Sequence, residues 1–372
     1  MWFLRKDAIT VWNNEEVMKR LSWYRDVMTD AKPSKFLIAR SISVDVSLSE
    51  LEKMNEDELW KLHDELSLKF KDIYESIKNG KLVKLIYVEP SFLDVKIILS
   101  EKIIEHCEFC ERRCKANRKK GGVGFCRVGY KSKVSSWFHH FGEEAPLIGE
   151  GGSGTIFFAG CNFGPCVFCQ NWDISSDPEN GVEVDPQTLA LISKKLRNEG
   201  VANINYVGGD PTPNLHVILA SLKYLNVNVP QLWNSNMYCS IETMKLLAEV
   251  IDIWLPDFKY GSNECAKRLS KVDRYFEVVS RNHKIAYNNG DMIIRHLVLP
   301  NHIECCTKPV LKWISENTPM VLINIMEQYH PDYLVARRPE EYNEIARRPT
   351  SQEMREAYEY ARKLGVVFEP VS

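Results

Sequence analysis

Cys161-Asn-Phe-Gly-Pro-Cys166-Val-Phe-Cys169 follows directly on a strand-like apolar run at 155–160. Three thiolates on one short loop fall one short of the four ligands of a structural zinc site. On a cube of four irons and four sulfides they leave one iron without a protein ligand, and that open iron can bind a substrate or cofactor directly. The residues alone keep a second reading open, a zinc ion that borrows a distant fourth ligand such as Cys239 or a histidine.

Beyond this loop, short apolar runs recur at 203–207, 231–234, 251–255, 292–299 and 321–325. Amphipathic stretches lie between them, including 186–198 with Leu189, Ile192 and Leu196 on one face, and 241–249 behind an N-capping Ser240. A last helix is expected at 352–364, started by Ser351 and stopped by Gly365. Strand–helix alternation predicts a parallel sheet covered by helices. Six units are too few for a closed eight-stranded barrel. They predict an α/β fold, a partial (β/α)6 barrel open on one side, with its site at the carboxyl ends of the strands.

Three domains are expected: 1–100 a mainly helical extension, 101–150 a four-cysteine metal segment, and 151–372 the partial barrel. In the first, Leu59, Leu62, Leu66, Phe70, Ile73 and Ile77 recur at helical spacing, with Asn55 and Glu58 as a capping pair and Asn79-Gly80 as a stop. Ile42, Val44, Val46 and Leu48 alternate with polar residues and predict a short strand. Nothing in this extension carries recognisable chemistry, so a packing or substrate-covering role is expected. Residues 107–150 show little periodicity, and a metal is expected to set their shape.

The chain has 372 residues, 44% hydrophobic and 26% charged, with a net charge of −2. That is ordinary globular composition, without the basic field that drives nucleic-acid binding. No apolar run reaches the length of a membrane span, and residues 1–7 lack the apolar centre of a secretory signal, so a cytoplasmic protein is expected. Seven of the 11 cysteines fall in two clusters between 107 and 169, a pattern of metal binding rather than of a disulfide scaffold. Cys239, Cys265, Cys305 and Cys306 read as buried small hydrophobes.

The second cluster is Cys107-x2-Cys110-x3-Cys114-x11-Cys126. Four thiolates at this spacing suit zinc, a single iron or an auxiliary iron–sulfur cluster. Arg112, Arg113, Lys115, Arg118, Lys119 and Lys120 surround them and would offset the negative charge of such a site or face solvent.

The cysteine loop, with Phe168 before its third cysteine and the run Gly152-Ser-Gly-Thr-Ile-Phe-Phe-Ala-Gly-Cys161 before its first, resembles radical S-adenosylmethionine (SAM) enzymes. It is similar to the pyruvate formate-lyase activating enzyme-like branch of archaeal type, and the four-cysteine segment with His140-Phe-Gly-Glu-Glu144 shares that likeness. The spacing C-x4-C-x2-C is one residue longer than the usual C-x3-C-x2-C, an insertion that Gly164-Pro165 can absorb as a turn.

The resemblance implies a 4Fe–4S cluster on Cys161, Cys166 and Cys169. It implies SAM bound by Phe168, Gly208, Gly209, Asp210, Asn234, Ser235, Asp257, Lys259 and Arg295, with Gly208-Gly209-Asp210 at the methionine ammonium. Asn234 and Ser235 would face the ribose, and Lys259 or Arg295 the carboxylate; Asn236, Gln328 and Tyr329 are further candidates near the cavity. Implied partners are a low-potential electron donor, ferredoxin or flavodoxin, and a protein or peptide substrate, with no membrane and no nucleic acid. Two alternatives stand beside this reading. One is a cobalamin-dependent C-methyltransferase acting on methyl-coenzyme M reductase; the other is a non-enzymatic, zinc-stabilised nucleic-acid-binding module.

Overall fold

A computed structural model describes residues 5–372. Residues 1–4, part of the segment read for a secretory signal, lie outside the described residues. Each expected apolar run after residue 150 forms a strand: β2 (Ser153–Phe158), β4 (Ile204–Gly208), β5 (Gln231–Ser235), β6 (Ile253–Pro256), β7 (Asp291–Leu297) and β8 (Leu322–Met326). These six are parallel and add in chain order, with helices in the connections, including Pro186–Asn198, Leu215–Tyr224, Ile241–Ala248, Tyr275–Asn288 and Lys308–Asn317. β1 (Ser132–His140) and β3 (Val182–Val184) extend the β2 side antiparallel, giving the order β3-β1-β2-β4-β5-β6-β7-β8. β3 and β8 do not pair, so the curved sheet stays open as a partial barrel.

Sequence patterning explains which face is inside. Leu232, Ile253, Leu255, Ile293 and Leu322 alternate along β5 to β8 and form a dry floor with Ala145, Leu147, Val11, Val17, Leu21 and Tyr24. The first part of the amino-terminal extension therefore closes the barrel at the strand starts. It packs there and does not cover the strand ends. Asp252, fully buried, is the main tether: it accepts hydrogen bonds from Trp23 Nε1 (2.9 Å), Ser34 Oγ (2.5 Å), Lys35 N (3.0 Å) and Gln231 N (2.8 Å).

Above the floor lies a polar layer. Asn205 donates to Glu143 Oε1 (2.9 Å), Asn324 donates to Glu144 Oε1 (2.8 Å), and Arg295 Nη1 lies 3.8 Å from Glu143 Oε2. The other Glu144 oxygen is buried with no partner. Burial and the neighbouring Glu143 outweigh Arg295 and push the Glu144 carboxyl up to about 7.

Three expectations are corrected. Residues 42–48 form no strand: Ile42 and Val44 are buried as their alternation implies, but the only bridge is Ser43 to Ser91, and the chain turns into the helix Leu48–Lys53 capped by Ser47. Residues 107–150 are not shaped by a metal segment alone, since β1 runs through them, paired to β2 just after it and to β3 beyond. The last helix is Ser351–Leu364, capped by Thr350 rather than Ser351, with Glu353 closing the capping box. The helix Glu56–Lys78 forms with the expected Asn55–Glu58 box, burying Leu59, Leu66, Phe70 and Ile77. Among the described residues no helix is long and apolar enough to cross a membrane.

Asp252→Ala strands four buried donors, so it is expected to cost at least about 3 kcal/mol, seen as a lower urea midpoint at unchanged slope. Glu144 gives a pH test. Its folded-state pKa lies above the ordinary carboxylate range, so its contribution to stability is complete below that range and is lost as pH rises towards 7. Glu144→Gln should therefore lose less stability than the parent between pH 4.5 and 8. Equal losses would show that the carboxyl is ionised throughout.

Candidate functional site: a thiol-lined cavity at the strand ends

The inward alternation that builds the floor continues to the carboxyl ends as Val207, Asn234, Arg295, Leu297 and Met326, with Asp257 one step beyond β6. These side chains line a cavity of about 240 Å³ together with the loop after β2. Cys161, Cys166 and Cys169 line it, as do Phe168, Gly208, Gly209, Asp210, Ser235 and Lys259. The structure thus brings into one cavity three thiols and ten further residues singled out from the sequence, Asn236 among them. Gln170 and Asn171, which the sequence reading passed over, also face it. Gln328 is exposed and does not line it, and Tyr329 is buried behind it, edge-on to Phe168 with ring centroids 5.7 Å apart.

The inserted residue in the cysteine loop is accommodated by anchoring. Phe163 is buried edge-on to Tyr238 and Tyr275. A side chain at Gly164 would meet Lys271 Cβ at 2.8 Å, so the glycine lets the loop pass close to that residue. Asn162 accepts from Asn236 Nδ2 (2.7 Å), and its carbonyl accepts from Arg112 Nε (3.1 Å).

Each loop sulfur has a donor aimed at it: Phe163 N (3.4 Å) at Cys161, Ser270 Oγ (3.0 Å) at Cys166, and Ser175 Oγ (3.3 Å) beside Cys169. Burial pushes all three thiols up, Cys166 to about 11 despite the nearby Lys259 ammonium. A cation at the loop would displace these protons, and the donors would then support the thiolates. The donor set therefore fits a cluster with three sulfur ligands.

Asp257 organises the opposite wall. Its carboxylate accepts from Arg295 Nε (2.9 Å) and pairs with the Lys259 ammonium. Burial raises the Asp257 carboxyl, but Arg295 and Lys259 more than offset it, leaving it below the usual range. Arg295 also donates to Asn234 Oδ1. Asp210 is buried and accepts from Ser235 Oγ (3.0 Å), Asn236 N (2.9 Å) and Thr212 N (2.9 Å), so it holds the ends of β4 and β5 together.

The two glycines also serve packing. A Cβ on Gly208 would lie 2.1 Å from Phe158 O, and one on Gly209 2.1 Å from Gly160 O. Their missing side chains let β4 press against the stem of the cysteine loop.

Cys107, Cys110, Cys114 and Cys126 lie beside this site. The backbone of Cys110 pairs antiparallel with that of Cys239, Glu111 N donates to Tyr238 O (3.3 Å), and Phe125 N donates to Cys114 Sγ (3.2 Å). Burial raises the Cys110 and Cys126 thiols. Five of the six basic side chains of this segment are spent inside the molecule. Arg112 and Arg118 donate to backbone carbonyls, Arg113 pairs with Glu242, Lys115 with Glu108, and Lys119 with Glu101 and Glu105.

Of the remaining cysteines, Cys239 is buried as expected of a small hydrophobe. Cys306 is buried as well, but with the half-buried Cys265 and the exposed Cys305 it gathers with His302 into one group. Glu143 and Glu144 were also overlooked as members of the buried network. Their adjacency to His140 in the sequence was the only local sign.

Comparison with protein families matches the radical SAM superfamily over residues 155–314. The chain is 43% identical over 353 residues to the uncharacterized protein MJ0674 of Methanocaldococcus jannaschii, covering 93% of this chain and 98% of that one. It is 26% identical over 259 residues to the uncharacterized protein MJ0808 of the same organism, covering 61% of this chain and 71% of that one. Among solved structures, SuiB of Streptococcus suis bound to S-adenosylmethionine is 15% identical with a TM-score of 0.41 over 56% of this chain. The match covers 47% of the SuiB chain, just under half its length. The thiol loop and most of the cavity wall lie within the matching stretch: residues 155–314 of this chain form a radical SAM domain.

Proposed function

We propose that the cavity binds a 4Fe–4S cluster on Cys161, Cys166 and Cys169 with SAM beside it, and that the protein takes a hydrogen atom from a protein or peptide substrate, as an activating-enzyme-like protein would. The observation that carries this reading is the meeting, in one cavity, of three thiols on one loop with the polar ends of four parallel strands. A cluster bound there supplies one electron to the sulfonium, whose cleavage gives a 5′-deoxyadenosyl radical.

The chain's own residues do the rest. Cys161, Cys166 and Cys169 would hold the cluster through their thiolates. Asp210 has one carboxylate lone pair beyond its three protein donors, and this faces the methionine ammonium. Lys259 and Arg295, already oriented by Asp257, receive the methionine carboxylate, and Asn234 and Ser235 serve the ribose. Val207, Leu297, Met326 and Phe168 supply the apolar wall that keeps water from the reacting centre.

The four-cysteine segment would gather its thiols, which do not all lie within 4.8 Å of one another, around a second metal, zinc or iron. Its place beside the cluster loop, joined through Arg112 and Asn162, gives such a site a direct mechanical link to the cavity. Electrons come from a cytoplasmic low-potential donor, ferredoxin or flavodoxin.

Oxygen-free purification is expected to yield about four irons with labile sulfide at this loop, lost on Cys161→Ala, Cys166→Ala or Cys169→Ala. Dithionite and SAM should then give 5′-deoxyadenosine; none from a cluster-replete sample overturns the reading. Co-purifying cobalt with S-adenosylhomocysteine as product would replace it with cobalamin-dependent methyl transfer. Lys259→Met should retain iron and raise the SAM concentration for half-maximal cleavage about tenfold, the loss of one charge-assisted contact.

A further inference from the structure

Away from the cavity, Cys265 Sγ lies 3.5 Å from His302 Nδ1 and 3.7 Å from Cys305 Sγ. Cys305 Sγ is 3.3 Å from the same nitrogen and 3.8 Å from Cys306 Sγ, which is itself 3.7 Å from His302 Nδ1. Among the described residues this is the only set of three or more metal-binding side chains whose ligand atoms all lie within 4.8 Å of one another. Disulfide bonding does not account for it, because all three cysteines are free and their sulfurs are far beyond the bonded distance of about 2.05 Å.

The spacing has a simple geometric source. With Zn–S about 2.3 Å and Zn–N about 2.0 Å, a tetrahedron sets sulfur–sulfur pairs about 3.8 Å apart and sulfur–nitrogen pairs about 3.5 Å apart. We infer that Cys265, His302, Cys305 and Cys306 form a mononuclear, four-coordinate zinc site of Cys3His type. On binding, the three thiol protons leave to solvent and the neutral imidazole donates through Nδ1. No ligand position is left for water, so the site is structural.

The local backbone is built for this convergence. Residues Ile303–Thr307 form a π-helical turn, a geometry that recurs at functional sites, and it places Cys305 and Cys306 side by side just after His302. Gly261 lets the two segments approach: a Cβ there would meet the carbonyl oxygens of Cys305 and Cys306 at 2.7 and 2.8 Å. Cys265 lies on the helix Asn263–Ser270, which Ser262 caps through Cys265 N.

The ion would clamp the connection after β6 to the connection after β7. The first carries Asp257 and Lys259 into the cavity wall, and the helix Asn263–Ser270 ends at Ser270, the donor to Cys166. A zinc site here would fix that wall and the cluster loop from outside the cavity. The site does not rest on the radical SAM reading.

The test is metal content and thiol protection in the full chain, exchanged with Zn2+ and freed of loose ion. Cys305→Ser and Cys265→Ser are each expected to lose about one zinc per chain relative to the parent, with iron unchanged. Zinc equal in parent and variants overturns the site. Cobalt(II) in place of zinc should lose its tetrahedral thiolate absorption in the same variants by one site's worth, and undiminished absorption overturns the assignment. Should a variant not fold, alkylation of the parent decides: Cys305 is exposed yet should react slowly with iodoacetamide until a chelator is added. Equal reaction with and without chelator contradicts the proposal.

Discussion

Six parallel strands added in chain order must all end on the same rim, and every feature of the site depends on this. Once β2 places the cysteine loop on the rim, β4 to β8 have no other place to deliver their last side chains. Period-two alternation then sorts each strand: leucine and isoleucine at the floor, amide and charged groups in the middle, and the cavity wall at the end. The amino-terminal extension completes the arrangement from below, where Asp252 and Tyr24 tie it to the strand starts.

The cavity concentrates groups that are costly to bury alone. Three thiols are pushed towards their neutral form by burial, while Lys259 and Arg295 are kept charged by Asp257. Buried charges persist because each has a hydrogen-bonded partner. Such a preorganised wall needs little rearrangement to accept a zwitterionic ligand. The proposed zinc clamp fits the same logic, since it would hold the connections that carry Asp257 and Lys259 without occupying the cavity.

Much of this was legible in the sequence because it is local. The six apolar runs each became a strand, the capping boxes and the Gly365 stop sit within a few residues of their effects, and the cysteine loop is contiguous. What was not legible depends on distance. β1 has a mixed pattern of buried and exposed residues and is defined by pairing with β2 and β3. The alternation at 42–48 is real as burial, but no neighbouring strand exists to make it a sheet. Cys265 lies forty residues before Cys305, and only the fold reveals that they share a histidine; the local sign was a vicinal cysteine pair three residues beyond His302. That Gly208 and Gly209 also admit the stem of the cysteine loop was not legible, because a glycine reports that something comes close, not what it is.

The central claim is an iron cube with one corner open to the cavity. Electron paramagnetic resonance of the dithionite-reduced, oxygen-free protein tests it most directly, recorded before and after SAM is added. The account predicts a reduced-cluster signal whose shape changes on addition of SAM and which disappears in the Cys161→Ala variant. A signal indifferent to SAM, or one that survives the loss of Cys161, would contradict it.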